Sequence, residues 1–276
     1  MTISKFGLPL NIAHRGARSI APENTLAAAR AGLQAGADMW ELDVAVTADG
    51  ELVVLHDDTL ERTSNAKAIY PDRRPWAVHT FTLAELRRLD FGSWFNEKDP
   101  FEQIAAGVVT ADMQHSYAGE PIPTLREALE FTRDNQWRVN IEIKDATGTL
   151  GDPEVVEKVV ALVGELKMQD AVIISSFNHD YLRRVKSANP ALATAALVEH
   201  ASRDPAALVR DLGAQGYNPR YLDIRAADIP ALREADVDVY VWTVNDEKVM
   251  RDLIQHGATG IITDFPQVVE KIIGLD

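Results

Sequence analysis

Two carboxylates stand two residues apart in the run Trp40-Glu41-Leu42-Asp43-Val44, with apolar residues at the alternate positions. In an extended strand this spacing sends both acids to one face and Trp40, Leu42 and Val44 to the other. Two acids aimed into a core cost several kcal/mol in desolvation and mutual repulsion unless a cation or basic groups meet them. The same pattern returns at Ile141-Glu142-Ile143-Lys144, with Glu and Lys sharing a face. If both strands end at one surface, Glu41, Asp43 and Glu142 form an all-oxygen site suited to Mg²⁺ or Ca²⁺ rather than to zinc. The competing readings are an exposed edge strand with solvated acids, and a buried Glu142–Lys144 ion pair that only supports the fold.

Two histidines frame these acids. His14 ends the apolar run before Arg15-Gly16, and His56 follows Leu52 to Leu55 and precedes Asp57-Asp58. A histidine beside an acidic cluster suits proton transfer near neutral pH. Arg15 offers a planar fork of donors and Lys144 a point charge, both suited to an anionic group such as phosphate. Gly16 lets the backbone turn sharply after the strand. Trp242, at the end of another apolar run, is either a stacking surface for substrate or part of the core. His79, His115, His179, His200 and His256 have no comparable setting and read as surface or structural residues.

Such residues converge only if something positions them, and the chain supplies a repeating frame. Short apolar runs alternate with segments of helical period, the pattern of β-α units around a parallel sheet. The predicted strands are Leu10 to His14, Trp40 to Val44, Val139 to Lys144, Val172 to Phe177, Thr194 to Val198, Tyr221 to Ile224, Val239 to Val244 and Gly260 to Thr263. Leu52 to Leu55 extends the second or forms a hairpin with it. Helices are predicted at Thr25 to Ala35, Leu125 to Asp134, Pro153 to Leu166, Asp180 to Ser187, Pro205 to Leu212, Ile229 to Ala235, Asp246 to His256 and Gln267 to Ile273. Asn24 or Thr25 caps the first of these, and Thr124 with Glu127 makes a capping box for the second. Eight such units in 276 residues fit one (β/α)₈ TIM barrel spanning residues 1–276 as a single domain. A doubly wound open sheet is the structural rival, but no Gly-rich nucleotide turn follows the first strand. Residues 59–123 break the rhythm. This stretch is rich in Pro, aromatic and charged residues, has one clear helical piece at Leu83 to Leu89, and reads as an inserted segment: a lid, a specificity element or an oligomer contact.

Composition narrows the partners. A formal charge of −14 repels DNA, RNA and anionic lipid, so a phosphate ligand needs a local positive site. Without cysteine, a thiol nucleophile, a disulfide framework and a zinc-thiolate cluster are all excluded. No signal peptide is visible, and no run of about 18 apolar residues suggests a membrane span, so a cytoplasmic protein is expected.

The residues also resemble a known family, the glycerophosphodiester phosphodiesterases. The matching blocks are His14-Arg15-Gly16, Pro22-Glu23-Asn24-Thr25, Gly36-Ala37-Asp38, Glu41-Leu42-Asp43-Val44, Thr47 with Asp49-Gly50, and His56-Asp57. Later come Ile122-Pro123-Thr124-Leu125, Glu142-Ile143-Lys144, Ser176-Phe177, Trp242-Thr243-Val244-Asn245 and Thr263-Asp264-Phe265-Pro266, in the same order. The resemblance implies a TIM barrel that cleaves glycerophosphodiesters to sn-glycerol 3-phosphate and an alcohol. It implies Glu41, Asp43 and Glu142 as ligands of one divalent cation and His14 and His56 as the acid–base pair. Arg15 and Lys144 then match phosphate-binding positions, and Phe177 and Trp242 resemble substrate-pocket aromatics. Two departures, Ala66 after Arg62-Thr63-Ser64-Asn65 and a long stretch from Asn96 to about Gly119, both fall in the inserted segment and bear on the leaving alcohol. Other readings are a catalytically silent barrel that binds glycerophosphodiesters, and a lysophospholipase D-like or phospholipase C-like enzyme. The lipid-acting reading predicts an exposed apolar rim on the insertion, drawn from Trp76, Phe81, Trp94, Phe95 and Phe101. Sequence leaves open which histidine is acid and which base, whether water or the glycerol hydroxyl attacks, and whether the chain forms a homodimer.

Overall fold

The computed structural model describes residues 7–274. Eight parallel strands close into a barrel: β1 (Leu10–Ala13), β2 (Met39–Val46), β4 (Arg138–Ile143), β5 (Val172–Ser176), β6 (Ala193–Val198), β7 (Gly216–Pro219), β8 (Asp238–Val241) and β9 (Gly260–Thr263). Closure comes from β1, which pairs with β2 on one side and with β9 on the other. The ninth strand, β3 (Leu52–Val54), pairs antiparallel with the far end of β2, so the predicted Leu52 to Leu55 segment is a hairpin.

The barrel helices are α1 (Leu26–Gln34), α6 (Leu125–Asp134), α7 (Val155–Glu165), α8 (His179–Ala188), α9 (Pro205–Asp211), α10 (Ile229–Glu234), α11 (Glu247–Gln255) and α12 (Pro266–Ile273). Thr25, not Asn24, caps α1 by accepting from the Ala28 amide. Thr124 and Glu127 form the expected capping box on α6, satisfying two otherwise orphaned groups at the helix start.

Strand residues that point outward make the main core against the helices, with Trp40, Leu42, Val44, Val139, Ile141 and Ile143 all buried. Trp40 lies parallel to Trp137 at 6.1 Å between ring centroids, and its indole N–H donates to Thr132. Inside the barrel a smaller layer of Ile12, Met39, Ile173, Ala195, Tyr240 and Ile262 fills the lumen below the polar end.

One strand differs from expectation. The sixth barrel strand is Gly216–Pro219, and the predicted Tyr221 to Ile224 lies in the loop beyond it. Gly-Tyr-Asn-Pro carries little strand propensity, but the barrel requires a small residue there. A Cβ on Gly216 would stand 2.7 Å from the Ala195 Cβ on the neighbouring strand.

Between β3 and α6 runs the segment that the sequence suggests is an insertion. It holds four short helices rather than one: α2 (Ala66–Ile69), α3 (Leu83–Leu86), α4 (Ser93–Lys98) and α5 (Ala111–Tyr117). Elements of four to seven residues complete at most two turns, too few to show a helical period. The segment carries apolar clusters of its own. Leu60, Trp76, Phe81, Leu86, Phe91 and Ile122 pack on Val53 and Leu55, while Phe95, Val109 and Tyr117 pack on the alanines of α1.

That packing corrects the expected apolar rim. Trp76, Phe81 and Phe95 are buried. Half-buried Trp94 stands edge-on to Phe95, and half-buried Phe101 stands edge-on to Phe265. Among the described residues no helix is long and apolar enough to cross a membrane.

Candidate active site

β2 and β4 run in register with Asp43 beside Glu142 and Glu41 beside Asn140. Because the strands are parallel and unshifted, the acids of both project into the lumen near the strand ends. Oxygens of Glu41, Asp43 and Glu142 lie within 4.8 Å of one another, and all three residues are buried. Burial pushes the Glu41 carboxyl well above its ordinary range, and the charges of Asp43 and Glu142 push it further. Glu142 is raised by burial and by Asp43. Asp43 goes the other way. Burial opposes its ionisation, but the Arg15, His56 and Lys144 charges and the Asn24 hydrogen bond hold it below its usual value. Its Oδ1 is buried and accepts no hydrogen bond among the described residues. Three converging carboxylates, one with an orphaned oxygen, are the donor set of a hard divalent cation, so the residues fit the ion expected from sequence.

His14 follows β1, where its amide donates to Thr263 at 2.9 Å. Its Nδ1 lies 2.7 Å from Asp264 Oδ1, and its Nε2 lies 4.0 Å from Glu41 Oε2. Burial lowers the imidazole pKa and the Arg15 charge lowers it further, outweighing Asp264, so the ring favours its neutral form. His56 leaves the β3 hairpin, which is held by the Leu55 amide on the Asp43 carbonyl. Its Nδ1 lies 2.7 Å from Asp57 Oδ1.

Arg15 has φ 54° and is followed by Gly16 at φ 81°. This turn aims the Arg15 amide at Glu41 Oε2, 2.9 Å away. The guanidinium reaches Glu23 at 2.8 Å and Asp43 at 3.3 Å. Lys144, one residue beyond β4, sits 2.9 Å from Glu142 and 3.8 Å from Asp43. The Glu142–Lys144 ion pair therefore exists, but inside the acid cluster rather than apart from it.

Phe177 and Trp242 stand edge to face at 5.5 Å between centroids, and the Trp242 indole donates to the Asn218 carbonyl. His14, Arg15, Glu41, His56, Glu142, Phe177 and Trp242 all line one cavity. One side of it is charged and the other aromatic.

Several residues here carried no functional signal in the sequence. Asn24 turns its side chain to Asp43, donating to Oδ2 at 2.8 Å and accepting from the Asp43 amide. Asp264 is buried behind His14 and accepts from Asn245 at 2.7 Å. Glu23 gathers Arg15, Arg18 and Arg62. The only available hint was their place in matched blocks.

The glycerophosphoryl diester phosphodiesterase family model matches residues 14–268. A glycerophosphodiester phosphodiesterase from Caldanaerobacter subterraneus subsp. tengcongensis is 36% identical over 264 residues, covering 96% of this chain and 97% of that one. Among solved structures, a phosphodiesterase from Oleispira antarctica in complex with the product sn-glycerol-3-phosphate superposes with TM-score 0.78 at 28% identity, covering 97% of each chain. A glycerophosphodiester phosphodiesterase from Agrobacterium tumefaciens gives TM-score 0.74 at 29% identity, over 94% of this chain and 98% of that one. With the family model matched from the first histidine almost to the end, the chain belongs to the glycerophosphoryl diester phosphodiesterase family.

Proposed function

We propose that this protein hydrolyses glycerophosphodiesters to sn-glycerol 3-phosphate and an alcohol, using one divalent cation, Mg²⁺ or Ca²⁺, and a histidine acid–base pair. The observation that carries the reading is the buried triad of Glu41, Asp43 and Glu142, of which Glu41 and Glu142 line a cavity shared with His14 and His56. Charge counting makes it specific. Three carboxylates against Arg15 and Lys144 leave the cluster at a formal −1, and one divalent ion brings it to +1, the complement of a phosphodiester monoanion.

Glu41, Asp43 and Glu142 would hold the ion, which supplies Lewis-acid stabilisation of charge on the phosphoryl oxygens. Lys144 and Arg15 orient the phosphate from the same side. Each imidazole presents one ring nitrogen to the cavity while its Nδ1 is engaged by an aspartate. One takes the proton of the attacking hydroxyl or water and the other protonates the departing alkoxide, each contributing about 10²- to 10⁴-fold. Phe177 and Trp242 form an apolar wall for the glycerol carbons. Burial of Trp76, Phe81 and Phe95 speaks against the lipid-acting reading, which calls for an exposed apolar rim. The cytoplasmic location expected from sequence stays part of this proposal.

The test is a coupled assay for sn-glycerol 3-phosphate release from glycerophosphocholine and glycerophosphoethanolamine. Release that stops with chelator and returns with Mg²⁺ or Ca²⁺ is expected. No release from any glycerophosphodiester with either metal present would sink the reading.

A further inference from the structure

Both histidines are backed by an aspartate in the same way. Nδ1 of His14 lies 2.7 Å from Asp264 Oδ1, and Nδ1 of His56 lies 2.7 Å from Asp57 Oδ1. Neither aspartate is a member of the metal triad, and each has its own support. Asp264 is buried, and its other oxygen accepts from Asn245 Nδ2 at 2.7 Å. The Asn245 amide cannot be turned the other way, because its Oδ1 accepts from the Asp264 and Thr263 groups behind it. Asp57 takes Nε and Nη2 of Arg62 at 2.7 and 2.9 Å, a two-point fork that fixes the plane of its carboxylate.

We propose that Asp264 and Asp57 are the positioning residues of His14 and His56, each fixing the tautomer in which Nδ1 carries hydrogen and Nε2 is the working nitrogen toward the cavity. The inference rests on reading the two histidines as the acid–base pair. Its physical basis is that an ionised carboxylate only accepts, so the ring nitrogen facing it must donate. Both carboxyls are ionised at neutral pH. Burial opposes this, but for Asp264 the hydrogen bond from His14, the Arg18 charge and the hydrogen bond from Asn245 hold the carboxyl below its ordinary value. For Asp57 the hydrogen bonds from His56 and Arg62 do the same. The two supports are also joined, since Glu23 reaches Arg18 at 3.0 Å beside Asp264 and Arg62 at 2.8 Å beside Asp57. The histidines are therefore held by one continuous polar network rather than by two unrelated contacts.

The deciding measurement is the ¹⁵N spectrum of histidine-labelled, Mg²⁺-loaded protein at pH 8, with signals assigned by His14→Gln and His56→Gln. Nδ1–H tautomers are expected for both neutral rings. In Asp264→Asn the new amide donates to Nδ1, so His14 should switch to the Nε2–H tautomer. Its kcat on a glycerophosphodiester should then fall about 10²- to 10⁴-fold, with KM and Mg²⁺ affinity within about threefold of the parent. Asp57→Asn should lose less, because the His56 side chain is 31% exposed and water can replace the lost acceptor. An Nε2–H tautomer for either ring in the unsubstituted protein overturns the assignment for that histidine, and this outcome does not depend on whether the Asp264→Asn variant folds. An Asp264→Asn enzyme with parental kcat overturns it as well. Absence of turnover in the parent strikes the functional reading instead, and the spectra keep the two failures apart.

Discussion

Glu23 accepts both terminal nitrogens of Arg62 at 2.8 Å, a buried carboxylate meeting a half-exposed guanidinium that the inserted segment brings to the barrel. Arg15 and Arg18, from the turn after β1, reach the same carboxylate at 2.8 and 3.0 Å. The pair thus fastens the insertion to the loop that carries His14 and Arg15. Burial alone would push the Glu23 carboxyl up, but the Arg62 hydrogen bonds and the Arg15, Arg18 and Arg62 charges hold it well below the usual carboxylate range.

This depressed value has a signed consequence for stability. A carboxyl held below its unfolded value binds its proton less tightly in the fold than in the unfolded chain. Its contribution is complete above the unfolded value, near pH ~4.3, and is lost as pH falls through the folded value. Glu23→Gln should cost about 1–3 kcal/mol at pH 7, where Arg15, Arg18 and Arg62 lose a shared carboxylate while keeping Asp43, Asp264 and Asp57. The gap between variant and parent should narrow below about pH 4. Urea melts at pH 7 and pH 3.5 check this, and an equal gap at both would show that the Glu23 charge is not what stabilises the cluster.

His14 and His56 separate from the metal ligands experimentally. The His14 Nε2 stands 4.0 Å from Glu41 and His56 is tied to Asp57, so neither ring belongs to the carboxylate triad. His14→Ala and His56→Ala should each lower kcat about 10²- to 10⁴-fold while calorimetric Mg²⁺ binding stays nearly unchanged. Near-parental turnover in either variant would remove that residue from the acid–base pair.

Metal removal tests the triad by stability rather than by activity. Saturating Mg²⁺ or Ca²⁺ at about 100 times its Kd should add about 2.7 kcal/mol, a Tm rise of roughly 5–10 °C for a chain of this size. In Glu41→Gln that rise should largely vanish. In chelator the same variant should melt no lower than the parent, because burial, Asp43 and Glu142 already disfavour a charge at Glu41. Thermal scans of both proteins with and without chelator decide it, and an undiminished metal shift in Glu41→Gln would exclude Glu41 as a ligand.

Gly16 offers a backbone test. At φ 81° a Cβ is strained, and it would sit 2.5 Å from the carbonyl carbon of Ala28 in α1. Gly16→Ala should lose at least about 2 kcal/mol. Turnover should fall too, since the turn aims the Arg15 amide at Glu41. Denaturant melts with steady-state kinetics on the same sample measure both, and a variant as stable as the parent would show that the turn relaxes freely.

The acid layer was legible because it obeys the period of a strand. Glu41 and Asp43 alternate with Trp40, Leu42 and Val44, and Glu142 repeats the rule in the next barrel strand, so a face could be assigned without coordinates. The supporting residues obey no local rule. Asp264 reaches His14 across 250 positions only because β1 closes the barrel against β9, with Ala13 beside Thr263. Glu23 lies in a loop that looks like the approach to a helix cap, and its three arginines come from two distant stretches. The misplaced sixth barrel strand has a related cause: Gly216–Pro219 is set by the space beside Ala195 and not by the preferences of its own residues.

The β3 hairpin has an architectural consequence. Leu55 is pinned to Asp43 and Val54 to Pro123, so the excursion leaves and rejoins the barrel at neighbouring points. His56, Asp57 and Arg62 all lie before its interior. The stretch from about residue 64 to 121 is therefore tied to the barrel at both ends and also along α1, where Phe95, Val109 and Tyr117 pack. None of its residues lines the cavity shared by His14 and His56, so the walls of that cavity are built by the barrel and the hairpin.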